Sequence, residues 1–172
     1  MSLKNKLKSI ITKNYTDRYW VLRKKYQSSS NTLLRWYYYC QLKRLESRCC
    51  ADLGVSYHDA SSQFASKPIL PHGLNGIVIS RKCVIGKNVT ILHQVTIGTK
   101  ITTEKNTSKE DTLAPIVGDN VYIGSGAKII GNIRIGNSVL IGANAVVTKD
   151  IPDNYTAVGN PAKCFPTKHN YK

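Results

Sequence analysis

The stretch Pro71-His72-Gly73-Leu74-Asn75-Gly76-Ile77-Val78-Ile79 places a histidine among small residues, and His72 is the side chain best suited to proton transfer. An imidazole titrates at about 6.5, so near neutral pH it can take a proton from a hydroxyl and pass it to a leaving group. His93 follows Leu92 and stands four positions before Ile97, a turn position able to face the same cleft. His58 and His169 have no comparable setting. A zinc site made of His58, His72 and His93 finds no support, because the intervals of fourteen and twenty-one show no repeated ligand pattern, and no metal is expected. Neither a Gly-x-Ser-x-Gly elbow nor a Ser-His-Asp order is present, which favours direct attack by a hydroxyl over a covalent enzyme intermediate.

The residues that must position His72 form a repeat. Ile79, Ile85, Ile91 and Ile97 recur every sixth position, and Val117, Ile123, Ile129, Ile135, Ile141 and Val147 form a second run in the same period. Four residues after most of them comes another small or branched residue: Cys83, Val89, Val95, Val121, Ala127, Ile133, Val139 and Ala145. Neither a helix at 3.6 nor a strand at 2.0 has that spacing, whereas a solenoid of hexads does. Three hexads make a triangular coil with the aliphatic side chains stacked inward. Glycine follows many of the aliphatic residues, as in Ile85-Gly86 and Ile123-Gly124, where a Cβ would clash. Asn88, Asn120, Asn132, Asn137 and Asn144 are expected in turns with left-handed backbone.

The register breaks between Ile97 and Val117, so a polar loop at about 99–115 must leave the solenoid, and such loops commonly carry function. Residues 51–70 read as a degenerate first coil, with Pro68 and Pro71 opposing regular helix. The expected organisation is a helical segment at 1–54, a solenoid at 55–166 and a short tail at 167–172.

The 172 residues carry a net charge of +15, and the excess is concentrated at the N-terminus, where residues 1–50 hold twelve Lys and Arg against Asp17 and Glu46. Leu3, Leu7, Ile10 and Ile11 predict one helix, and Leu33, Leu34, Tyr37, Tyr38, Leu42 and Leu45 a second, separated by Ser28-Ser29-Ser30-Asn31. This segment is read as a cap on the solenoid. With lysines opposite Leu7 and Ile10, the first helix could also lie on an anionic membrane surface, where Trp20, Trp36 and the consecutive Tyr37, Tyr38 and Tyr39 would suit an interfacial position. No nucleic-acid module accompanies the basic charge, so that partner class is set aside. No signal peptide or membrane span is evident, and five cysteines without zinc or disulfide spacing read as reduced cytosolic thiols, with Cys83 a small buried hydrophobe. The expected location is cytoplasmic, with the inner membrane face as a peripheral site.

Taken in order, His72-Gly-Leu-Asn-Gly-Ile-Val-Ile, Val84-Ile-Gly-Lys-Asn-Val-Thr-Ile, Val95-Thr-Ile-Gly, Val121-Tyr-Ile-Gly-Ser-Gly-Ala-Lys-Ile-Ile-Gly and Val158-Gly-Asn-Pro-Ala-Lys resemble the hexapeptide-repeat acyltransferases. Within them the resemblance is to the serine acetyltransferase-like branch, which includes bacterial polysaccharide O-acetyltransferases. It implies an all-β solenoid, a left-handed parallel β-helix behind the helical segment, assembled as a homotrimer with acetyl-CoA held between subunits. It implies His72 as general base. The position of the family's orienting aspartate falls on Ser56, leaving Asp59 as the candidate partner. Gly98, Thr99, Gly124, Ser125, Gly142 and Ala143 are the candidate wall for the pantetheine arm, with Lys100 and Lys163 for the phosphates. Asn75 and His93 are candidate acceptor contacts.

Serine acetyltransferases place a second histidine before the proline equivalent to Pro115, where this chain has Ala114. That departure and the short helical region lead to the expectation of a sugar hydroxyl as acceptor, on a bacterial polysaccharide or a lipid-linked saccharide. Serine is the alternative acceptor, and a non-catalytic trimeric scaffold or binding module is the alternative from another class.

Overall fold

The computed structural model describes residues 3–56, 61–100 and 114–167, with residues 3–14 described as backbone helix only. Two helices, α1 (Leu3–Ser28) and α2 (Thr32–Arg48), form a hairpin before the solenoid. The helical period stops at the Ser-rich run, and Asn31 restarts it by accepting the Leu34 N–H at 3.0 Å, which satisfies one of the free donors of the new helix.

Short strands then build three faces. The first holds β1 (Gln63–Phe64), β3 (Val84–Ile85), β6 (Ile116–Val117) and β9 (Arg134–Ile135). The second holds β4 (Thr90–Ile91), β7 (Tyr122–Ile123), β10 (Leu140–Ile141), β12 (Tyr155–Val158) and β13 (Lys163–Pro166). The third holds β2 (Val78–Ile79), β5 (Thr96–Gly98), β8 (Lys128–Ile130) and β11 (Val146–Val147). Each strand pairs in parallel with its counterpart one coil on, as Ile97 does with Ile129, and only β13 runs antiparallel. The chain is thus a left-handed parallel β-helix behind a helical hairpin.

The hexad residues are its core. All ten of the sixth-position aliphatics are at most 2% exposed, and their partners at the fourth position are buried as well. The first coil is present, with Asp52 bridging Val78 and Ile69 bridging Thr90. β5 opens at Thr96 and β6 at Ile116, so the chain leaves and rejoins between the third and first faces. Most of that loop, residues 101–113, lies outside the described residues.

The turns correct one expectation. Asn88, Asn120 and Asn144 do adopt left-handed backbone (φ 54°, 57° and 56°), but Asn132 and Asn137 do not, while Lys82, Gln94, Ser138 and Asn154 do. The position within the turn imposes the conformation. Asn137, one residue ahead of that position, instead uses its side chain, accepting the Asp119 N–H at 2.8 Å while Asp119 accepts the Lys87 N–H at 2.7 Å on the previous coil.

The hairpin is fastened to the first coil by buried polar groups. Arg23, 3% exposed, donates to the carbonyls of Leu53 at 3.1 Å and Ser62 at 2.6 Å, and Tyr26 donates to the Ser56 carbonyl at 2.6 Å. Tyr19, Leu42 and Leu45 pack into the same junction, where Glu46 accepts from Tyr19 Oη at 2.8 Å and from Leu53 N at 3.0 Å. A buried guanidinium is tolerated because carbonyls, a hydroxyl and aromatic faces replace its water.

Candidate active site

The corner from the second face to the third is where the chemistry-bearing residues gather. On the first coil the turn after Pro71 buries Leu74 at 2% exposure, which turns His72 and Asn75 outward to solvent. Gly73 and Gly76 take φ of 68° and 64°, a region open to glycine without strain. The turn is held by Asn75 Nδ2 donating to the His72 carbonyl at 2.9 Å and by Gly76 N donating to the carbonyl of Cys49, at the end of α2, at 2.9 Å. The helical hairpin therefore helps to fix the loop that bears His72.

One coil on, Gln94 N donates to the Asn75 carbonyl at 2.9 Å, and this stacking brings His93 beneath His72. The rings meet edge to face, with centroids 4.9 Å apart. His93 Nδ1 lies 3.4 Å from Ser125 Oγ, and Gly126 N donates to the His93 carbonyl at 3.0 Å. Asn144 N continues the ladder to the Ser125 carbonyl at 2.8 Å. His72, His93, Ser125 and Ala143 thus stand on successive coils of a single edge.

Of the expected donor wall, Gly124, Ser125, Gly142 and Ala143 share that edge. A Cβ on Gly124 would meet Ala143 N at 2.6 Å, and one on Gly142 would meet Val158 Cγ1 at 2.8 Å, so coil stacking alone demands both glycines. Ala143 is exposed and Ser125 and Gly142 are half-buried, so these three are accessible to a ligand, while Gly124 is buried. Gly98, Thr99 and Lys100 lie at the other end of β5, where the loop departs, and Lys163 is exposed on β13 at the edge of the second face. Lys163 pairs with Val158, which lies beside Gly142, and so stays near the first edge; Gly98, Thr99 and Lys100 stand on a different corner of the same chain, because the strand of the third face separates them.

Asp59 and His58 lie outside the described residues. Among the described residues no group of three His, Cys, Asp or Glu is placed to hold a metal. Lys128 was missed by sequence reasoning: its ammonium donates to the Gln94 carbonyl at 2.9 Å and puts a cation beside the edge. Its place directly after the buried Ala127 was the available signal. The terminal Gly159-Asn160-Pro161-Ala162 turn closes the open edge of the third face, since Val146 N donates to the Gly159 carbonyl and Ala162 N to the Val146 carbonyl, both at 2.9 Å.

Comparison with known proteins agrees with this architecture. The family model for bacterial transferase hexapeptide (six repeats) matches residues 114–149. The chain is 44% identical over 119 residues to a serine acetyltransferase of Buchnera aphidicola subsp. Schizaphis graminum, covering 69% of this chain and 43% of that protein. It is 38% identical over 128 residues to the serine acetyltransferase of Staphylococcus aureus (strain N315), covering 72% and 56%. The crystal structure of Neisseria gonorrhoeae serine acetyltransferase superposes with a TM-score of 0.66 at 31% identity, over 92% of this chain and 54% of that one. Soybean serine acetyltransferase complexed with serine gives 0.64 at 32% identity, over 88% and 54%.

The chain belongs to the hexapeptide-repeat acyltransferase superfamily. It spans about half the length of the relatives it matches. Among these acyltransferases the similarity runs to serine acetyltransferases, which overturns the expectation of a polysaccharide acceptor. That expectation rested on the single residue Ala114 and on the short helical region. Ala114 is 6% exposed and packs in the core, so it reports on packing at the loop's return as much as on any ligand.

Proposed function

We propose that the chain transfers an acetyl group from acetyl-CoA to the hydroxyl of serine, working as a homotrimer with each site formed between neighbouring copies. The observation that carries this reading is the exposed His72 seated on His93 at the head of an edge whose next two coils offer Ser125 and Ala143. The likeness to serine acetyltransferases over about 120 to 130 residues supports the donor and the acceptor.

In this mechanism His72 accepts the proton of the serine hydroxyl as the oxygen attacks the thioester carbonyl. The carbon–sulfur bond breaks as the carbon–oxygen bond forms, and His72 returns the proton to the departing thiolate, giving O-acetylserine and free CoA. Both substrates are held together, so orientation supplies much of the rate. His93 and Asn75 flank the base and are the groups placed to meet the acceptor, a role that Ala114 cannot fill. Ser125 and Ala143 leave room for the pantetheine arm on one copy. Gly98, Thr99 and Lys100 of a neighbouring copy supply the opposite wall, which accounts for the separation of the two sets in one chain.

The test is the release of free thiol from acetyl-CoA with and without L-serine. Thiol release that depends on serine and saturates with it supports the proposal; release that is independent of serine, or none at all from a folded protein, contradicts it.

A further inference from the structure

We infer that the outward face of α2, together with the cations that surround it, is a docking surface for an anionic membrane. On an α-helix each residue turns by about 100°, so Leu33, Trp36, Tyr37, Cys40, Arg44, Ser47 and Arg48 lie on the side opposite the buried Leu42, Leu45 and Glu46. The first half of this stripe is apolar and open to solvent: Leu33 is 81% exposed, Trp36 57% and Tyr37 49%, with Leu34 at 44% on its flank. The second half is basic, and Arg44 and Arg48 are exposed. A soluble surface rarely gathers three large apolar side chains on adjoining turns without a use for them.

The charge around the stripe selects the partner. Arg18 and Lys25 of α1 are exposed, Lys25 lying over the Tyr38 ring of α2, so the hairpin presents cations on both helices. Residues 1–50 contain two acids, and neither offsets that field. Asp17 is paired with Lys67 of the first coil, and Glu46 is 2% exposed, bound by Tyr19, Leu53 N and Lys43. An apolar strip with aromatic rings, set in a surface whose acids are neutralised, fits the boundary between acyl chains and negatively charged headgroups. Among the described residues no helix is long and apolar enough to cross a membrane, so the contact is peripheral. The sequence expectation set the contact on the first helix at Leu7 and Ile10, whose side chains are outside those described, with Trp20, Trp36 and the three tyrosines at the interface; of these, Trp36 and Tyr37 stand on the open face of α2, while Trp20 packs against Phe64 of the first coil.

The experiment is co-sedimentation of the full chain with vesicles of phosphatidylcholine alone and of phosphatidylcholine with about one third phosphatidylglycerol, the charge that the basic residues would read. The chain should pellet with the anionic vesicles only. Binding should weaken as salt rises from about 0.1 M to about 1 M, where screening shortens from about 10 Å to about 3 Å. A Trp36→Ser/Tyr37→Ser variant should lose binding by roughly tenfold or more, the scale of returning one large apolar side chain to water. Arg44→Glu/Arg48→Glu should lose it too, and both variants should keep their helical circular dichroism and their acetyl transfer. Equal behaviour with the two vesicle types, or absence from both pellets, would overturn the inference. So would a light-scattering mass showing that Trp36→Ser/Tyr37→Ser breaks an assembly while the wild type ignores lipid, since that assigns the face to a second copy. Acetyl transfer is read separately, so failure of the surface is distinguishable from failure of the catalytic proposal.

Discussion

The imidazoles of His72 and His93 stand on successive coils with centroids 4.9 Å apart and planes inclined at 76°. Neither residue needs the other for folding, because Leu74 anchors one turn and the backbone ladder through Gly126 anchors the second. Their contact sets where the upper ring can lie, and Ser125 Oγ at 3.4 Å steadies the lower one.

His93→Phe keeps a ring under His72 but removes the polar edge, and His93→Gln keeps a polar group but removes the ring. If His93 meets the acceptor, the phenylalanine variant should raise KM for serine roughly tenfold or more, the scale of losing a hydrogen bond to a polar substrate, with little change in KM for acetyl-CoA. Glutamine should recover part of the loss. Equal rises in both KM values would place His93 in a general structural role.

A site shared between copies makes a mixing experiment decisive for assembly. His72→Ala and a variant altered at the loop exit, Thr99→Trp/Lys100→Glu, should each be inactive alone, because one lacks the base and the other blocks the opposite wall. Unfolding and refolding them together should restore activity in mixed trimers, where some sites inherit both intact halves. Mixtures as inactive as their components would mean that each site is built within one chain.

The stacking of coils predicts where a single methyl is intolerable. A Cβ on Gly118 would lie 2.7 Å from Asn137 Oδ1 and 2.8 Å from the Gly136 carbonyl, and one on Gly86 would lie 2.4 Å from the Gly118 carbonyl. Gly86→Ala should therefore cost about 1–3 kcal/mol, the range for forcing extra volume into packed structure, read as a lower midpoint in urea. Gly131, where the nearest atom to an added Cβ is 3.9 Å away, has no such clash, so its alanine variant isolates the effect of φ at 112°.

Cysteine reactivity should follow burial. The Cys83 thiol is fully buried in the core and burial pushes it up to about 12, so it stays protonated and inert across neutral pH. A thiol-specific reagent at about pH 8 should modify the exposed Cys50 and Cys164 first and reach Cys83 only on unfolding. Because the folded thiol titrates above its unfolded value, the neutral form contributes stability that is fully present below the unfolded value of 9.0 and declines as pH rises towards 12. Rapid labelling of Cys83 in the folded protein would show that its coil opens.

Much of this was legible because the hexad residues do a single job. Ile85, Ile123 and Ile141 fill an interior in which nothing but a branched aliphatic stacks well, so the period survives in the sequence and gives the coil. The end of the solenoid was only partly legible: Ile151 and Ala157 continue the six-residue series of the second position (Ile133, Val139, Ala145), yet they pair with the first series, Ile151 bridging Ile135 and Ala157 pairing with Ile141. Nothing in the sequence marks Arg23 as buried, because its burial depends on carbonyls at Leu53 and Ser62 that are distant along the chain. The stacking of His93 under His72 depends on a one-coil offset that residue spacing suggests without placing the rings. The acceptor was not legible in the pattern, because Ala114 and the short helical region point away from serine while the similarity over the solenoid runs to serine acetyltransferases.

The central claim is that His72 removes the proton from the acceptor hydroxyl, and one comparison tests it most directly. Steady-state formation of O-acetylserine by the wild type and by His72→Ala should differ by about 10²–10⁴-fold in kcat, the usual contribution of a positioned base. CoA affinity by calorimetry and the trimer mass should be unchanged, since His72 is exposed and its turn is held by Leu74 and Gly76. A folded His72→Ala protein that forms O-acetylserine at a rate near that of the wild type would contradict the account.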